Sequence, residues 1–253
     1  MIEPTPVAQH RANLKRLVST LQKKPFDFLP ERSVECLNQF FNGYSLFGPP
    51  IFRDLSSFQS WLSNRLFYPN DTGAHWSRFI QLNARDRCDG FELFFELYRK
   101  YCEVRPLDVH PDSPEFRQSP DSDFFLYLYC INKRPGIYMG AAPYDVQSIS
   151  AHLAGYFAGK KDARAGLTKD EQVFHRFGDW MCKHKKFTRK YPWHRLVEMW
   201  QYRALDSFQC FFEYFNAYLT NFGKNKCGLE DLFETVAANP GTIMRRRKSV
   251  STN

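Results

Sequence analysis

Two stretches of this 253-residue chain carry the same landmarks in the same order, which reads as one module used twice. With Trp76 placed over Trp193, an offset of 117, no gap is needed downstream. Arg78 then meets Arg195, Asp89 meets Asp206, and Phe91 meets Phe208. The run Phe94, Phe95, Glu96 meets Phe211, Phe212, Glu213, and Tyr101 meets Tyr218. Upstream the match resumes with small changes of offset that loops absorb. Phe58 and Trp61 lie over Phe177 and Trp180, Gly43–Tyr44 over Gly155–Tyr156, and Lys24–Pro25 over Arg134–Pro135. Whatever elements one copy forms, the other is therefore expected to form.

The segment between the copies is rich in proline and acidic residues, and repeated proline fixes φ and removes backbone donors. This places a first repeat in 1–105, a linker at 106–122 and a second repeat in 123–222. Residues 223–253 hold a short helix, Leu229–Ala237, and a basic tail.

Periodicity assigns the elements. After Asp89, the apolar residues Phe91, Phe94, Phe95, Tyr98, Tyr101 and Cys102 fall on one face of a 3.6-residue repeat. Asp206 opens the same pattern at Phe208, Phe211, Phe212, Phe215 and Leu219, which stops at Gly223. Ser33 and Asp145 are N-cap residues for helices expected to end at Gly43 and Gly155. The aromatic run Phe124–Cys130 suits a strand as well as a helix by itself, and the repeat favours the helix. The fold class is mostly α: two tandem diverged helical repeats of about four helices each, plus the short C-terminal helix.

Composition narrows function. With 43% apolar residues the chain can bury a core, and no apolar run reaches the length of a membrane span. The N-terminus lacks the apolar segment of a secretory signal. Seven scattered cysteines without a C-x-x-C pair fit free thiols in a reducing cytoplasm. The expected location is cytoplasmic, without membrane contact. The net charge of +8 owes half to the terminal RRRK; within the fold, residues 160–190 carry ten Lys/Arg against four Asp/Glu.

Catalytic patterns are missing from the chain. No H-E-x-x-H, G-x-S-x-G, P-loop or G-x-G-x-x-G occurs. His175 with Asp179, and His194 with Glu198, have helical i,i+4 spacing, which suits surface hydrogen bonds better than metal ligation. Glu96 and Glu213 flank apolar faces and are expected to sit on a solvated edge or to pair with Arg78 and Arg195, rather than act as an acid–base couple. The reading is of a non-enzyme without cofactor or metal.

One string stands out. KRPGIYMG, Lys133–Gly140, carries a Pro-Gly pair expected to turn the chain, with Gly136 free to take positive φ and Tyr138 covering the following helix. It resembles KRPGMYIG of DNA gyrase B subunits, but the acidic-x-x-x-Asn helix and D-x-G-x-G stretch of that ATPase family do not follow. The turn, with the apolar helix Ile149–Tyr156 ending in Gly-Tyr and its echo at Leu37–Tyr44, also resembles a class of small bacterial immunity proteins. These neutralise toxins of polymorphic-toxin and type VI-type competition systems. The resemblance covers residues 123–160 and implies a cytoplasmic, non-catalytic inhibitor whose partner is a cognate toxin, such as a nuclease, with its active site occluded. It carries no catalytic residues to this chain.

Charge and aromatic patterning nominate the binding residues. In KHKKFTRKYPWHR, Phe187, Tyr191 and Trp193 alternate with cations. The candidates are Lys183, Lys185, Lys186, Arg189 and Lys190, with Arg134 and Tyr138 as a second patch. Such a surface suits an acidic protein face or, as the alternative, nucleic acid, whose phosphates take the cations while bases stack on the rings.

Overall fold

A computed structural model of the chain describes residues 6–47, 49–66, 75–84, 89–104, 123–140, 144–201, 206–222 and 229. Helices form every regular element among them, with no strand. The proposed linker at 106–122 and the tail lie outside the described residues, as does the C-terminal helix apart from Leu229, which is buried. The described residues group into two compact units. One comprises those within 1–120 together with 147–166, the other those within 121–146 together with 167–253.

The first unit contains α1 (Pro6–Lys23), a 3-10 turn (Pro25–Asp27), α2 (Val34–Tyr44), α3 (Pro49–Arg65), α4 (Trp76–Ala84) and α5 (Gly90–Val104). Ser33 caps α2 by accepting from the Cys36 N–H, and Asp89 caps α5 by accepting from the Phe91 N–H at 2.9 Å. The aromatic face of α5 packs with Phe40, Phe41, Phe58 and Trp76 into a core dominated by rings. This is the burial that offsets the entropy of ordering the helices.

Helix α8 (Val146–Asp162) belongs almost wholly to the same unit, although its chain neighbours on either side belong to the other. Glycine accounts for this. A Cβ on Gly43 would lie 1.9 Å from the His152 carbonyl oxygen, and one on Gly155 would lie 1.9 Å from that of Phe40. Only hydrogen in both places lets α2 and α8 approach backbone to backbone. The expectation that Gly155 ends its helix is thus corrected: α8 runs seven residues beyond it to Asp162. A cap and a close approach demand the same residue for different reasons.

The second unit contains α6 (Phe124–Lys133), α7 (Pro135–Met139), α9 (Lys169–His175), α10 (Phe177–His184), α11 (Trp193–Met199) and α12 (Ser207–Phe222). Residues Phe124–Cys130 are helical, capped by Asp123, whose carboxylate accepts from the N–H groups of Phe125 and Leu126. Thr168 and Glu171 form a reciprocal capping box at the start of α9.

Ring geometry inside the two units agrees pair by pair. Phe58 stacks on Trp61 at 6.0 Å and 18°, and Phe177 on Trp180 at 6.2 Å and 18°. Trp76 and Phe94 lie 4.9 Å apart at 44°, and Trp193 and Phe211 lie 4.8 Å apart at 43°. Phe94 stacks on Tyr98 at 15° and Phe211 on Phe215 at 12°. The backbone entering each proline turn agrees too, with Lys24 at φ −138°, ψ 62° and Arg134 at φ −142°, ψ 61°.

The KRPG string differs in detail from its expected form. Pro135 opens the five-residue α7, Gly136 lies inside that helix, and the positive φ of 77° falls on Gly140 instead. Tyr138 packs edge-on against Tyr127 of the preceding helix at 5.7 Å. The carboxylates also pair locally: Glu96 takes Lys100 one turn on, and Arg195 takes Glu198 at 3.0 Å. These are neighbours on the same helix face, and Glu213 is exposed at a solvated edge.

Candidate binding surfaces

The basic stretch of the second unit folds into a loop joining α10 to α11. Its start is fixed by backbone bonds that wrap the end of α10: the Lys186 N–H donates to Lys183 O and the Phe187 N–H to Cys182 O at 2.9 Å. Lys186 pays for this wrap with φ at +58°, a left-handed conformation unfavourable for a residue bearing a Cβ. The Cys182 thiol donates to Arg189 O at 3.8 Å and ties the two arms of the loop.

Lys185, nominated from sequence as a partner-binding cation, is bound within the unit. Its Nζ lies 4.7 Å from the centre of the Trp200 ring and 5.0 Å from that of Tyr214, an arrangement worth about 0.5–2 kcal/mol. The Tyr214 hydroxyl donates to Trp200 O at 2.7 Å, so that ring is held by a cation on its face and a hydrogen bond at its backbone. Phe187 sits edge-on to Tyr191 at 5.5 Å and to Trp200 at 6.2 Å. Met199, Trp200 and Tyr191 remain 57%, 43% and 39% exposed. The aromatic part of the surface is therefore wider than the sequence suggested. Met199 and Trp200 close a helix rather than interrupt a charge run, so nothing in the pattern marks them.

The remaining cations lie at the end of α10 and along the loop that follows it. Lys183, Lys186 and Arg189 are exposed and enter no ion pair among the described residues. Lys190 reaches Asp179 at 3.0 Å, but its side chain is 85% exposed, where such a pair contributes little. No group of three or more His, Cys, Asp or Glu side chains among the described residues is placed to hold a metal ion.

No protein-family model, curated protein or solved structure matches the chain.

The second nominated patch has a different character. Arg134 is exposed at the junction of α6 and α7. Tyr138 is half-buried, its phenol raised chiefly by a hydrogen bond with Cys130 and then by burial. The described contacts of Tyr138 are with α6, so it acts first as packing for the turn.

The first unit holds a polar cluster that the sequence reading did not find. Asp54 in α3 is buried, and its carboxylate accepts from the Tyr98 hydroxyl and, at 3.4 Å, from that of Tyr101. Burial pushes the Asp54 carboxyl up, while the two phenols, by donating, draw it back. Burial and the Asp54 charge raise Tyr101 to about 12 and the Cys102 thiol to about 11. A groove of about 430 Å³ runs along α1 and α5 beside this cluster, with Tyr98 and Cys102 in its lining.

Proposed function

We propose that the chain is a non-catalytic immunity protein that binds a cognate bacterial toxin and neutralises it by occluding the toxin's active site, from two diverged copies of one helical module. The observation that carries the binding role is the ring cluster of Phe187, Tyr191 and Trp200. It is partly exposed on the second unit, in a stretch of chain that also carries exposed Lys183, Lys186 and Arg189 without described counter-ions. Aromatic anchors in a stretch with exposed cations favour tight docking to an acidic protein face, with charge setting the association rate and rings supplying the affinity. The pairwise agreement of ring geometry in the two units supports the duplication. The KRPGIYMG turn supports the immunity class, and a reducing cytoplasmic setting follows from that class.

Co-expression with the product of a neighbouring gene bearing a toxic C-terminal domain tests the reading: cells survive and the two proteins copurify in a fixed ratio. Survival without this chain, or no copurification, overturns it. The same rings and cations also suit single-stranded nucleic acid. Affinity for any oligonucleotide that falls steeply with added salt would transfer the surface to that function.

A further inference from the structure

Set at the offset of 110 that matches Lys24–Pro25 with Arg134–Pro135, α1 and α6 agree at their buried positions. Leu14, Leu17 and Leu21 lie over Phe124, Tyr127 and Ile131, and all six are buried. The outward positions do not agree. Exposed Arg16 and Ser19 of α1 lie over Leu126, which is 36% exposed, and half-buried Tyr129. At the turn that follows, exposed Asp27 lies over Ile137, which is 68% exposed. The first unit keeps the same buried pattern under a polar outer face, so the burial of Phe124, Tyr127 and Ile131 does not require apolar residues outside them. From Phe124 to Ile131, α6 is apolar around its whole circumference. Such a helix is ordinarily covered on every side.

Charge indicates what covers it. From Phe124 to Met139 neither α6 nor α7 contains Asp or Glu. Exposed Lys133 and Arg134 make the C-terminal end of α6 positive, and Asp123, exposed at its N-cap, makes the other end negative. Asp123, Leu126, Cys130 and Lys133 fall at i, i+3, i+7 and i+10, one stripe of a helix. Tyr129 adjoins the stripe, with the Lys133 Nζ 5.5 Å from the centre of its ring. Opposite charges at the two ends of an apolar stripe complement an antiparallel copy of the same stripe, as a twofold interface requires. About a twofold axis at position 128, Asp123 of one copy stands opposite Lys133 of the other, and Leu126 opposite Cys130.

We propose that this stripe is the interface of a reversible homodimer in which α6 pairs antiparallel with α6 of a second copy. A ten-residue helix is about 15 Å long, which gives less area than a permanent dimer buries. The dissociation constant is accordingly about 10–100 μM. The interface uses none of the rings Phe187, Tyr191 and Trp200, and it stands whether or not those bind a toxin.

Sedimentation velocity of the full chain from about 5 μM to about 500 μM tests the proposal, the mean mass rising from monomer toward dimer. The variant Leu126→Arg/Tyr129→Ser, which copies α1, should stay folded by circular dichroism and weaken the dimer about tenfold or more. Asp123→Asn, which keeps the helix cap, should weaken it less. Charge reversal tests the register. Lys133→Glu/Arg134→Glu and Asp123→Lys should each stay monomeric alone, and their equimolar mixture should dimerise, because every end then meets its opposite. A parent that is monomeric at the highest concentration, a dimer unchanged by Leu126→Arg/Tyr129→Ser or by Asp123→Asn, or a mixture no better associated than its components overturns the proposal.

Discussion

Gly43 and Gly155 stand in the same relation to each other's helix. A Cβ on Gly43 falls 1.9 Å from the carbonyl oxygen of His152, three residues before Gly155. One on Gly155 falls 1.9 Å from that of Phe40, three residues before Gly43. The obstacle is backbone in both directions, so no rotamer change relieves it. Gly43→Ala and Gly155→Ala are each expected to destabilise the protein by about 3 kcal/mol or more by denaturant unfolding. Gly166→Ala, with nothing within 4 Å of its added Cβ, should change stability by no more than about 1 kcal/mol.

The Asp54 cluster predicts coupled substitutions. Asp54→Val alone leaves the Tyr98 hydroxyl buried without its acceptor and should cost about 1–3 kcal/mol. Adding Tyr98→Phe removes the orphaned hydroxyl and should recover most of that loss in a double-mutant cycle.

Two buried groups give opposite pH trends. The raised Asp54 carboxyl favours its protonated form in the fold, so its contribution is fully present below the unfolded carboxylate range, near 4, and is lost as pH rises through the raised value. Fully buried His152 is held down to about 4, chiefly by burial, against 6.5 for an ordinary histidine. Its neutral form is the one the fold accepts, so stability falls as pH drops from 6.5 to about 4, by roughly 3 kcal/mol in all. Urea titrations of the parent and of His152→Gln between pH 8 and 4 should therefore diverge, with the variant the flatter. The reverse order would refute the assignment.

On the aromatic surface, Lys186→Gly should stabilise the protein by about 1 kcal/mol by relieving the left-handed backbone. Lys185→Met should destabilise it by a similar amount, about 0.5–2 kcal/mol, by removing the cation between Trp200 and Tyr214. Charge reversal at Lys183 and Arg189 should leave the melting temperature unchanged and slow association with an acidic partner, an effect that added salt erases.

Helices and their aromatic faces were legible because periodicity is local: the ring faces of α5 and α12 can be read from spacing alone. Gly155 was misjudged because glycine signals both a helix end and a close helix crossing, and only the position of α2 distinguishes them. Lys185 looked like its neighbours in a charge run until Trp200, fifteen residues away, placed its ring 4.7 Å from the ammonium and left the side chain half-buried. Asp54 carried a signal that went unused, since extending the repeat four residues before Phe58 sets it against Val173. A carboxylate opposite an aliphatic residue marks a place where matching ring geometry in the two units surrounds different polar groups.

The placement of α8 constrains any attempt to dissect the molecule. Because the polypeptide leaves the second unit at α8 and returns to it at α9, no single cleavage yields two intact halves. A fragment ending near residue 120 would lack the helix that seals Gly43, and would present a bare glycine-lined backbone to solvent or to another copy of itself.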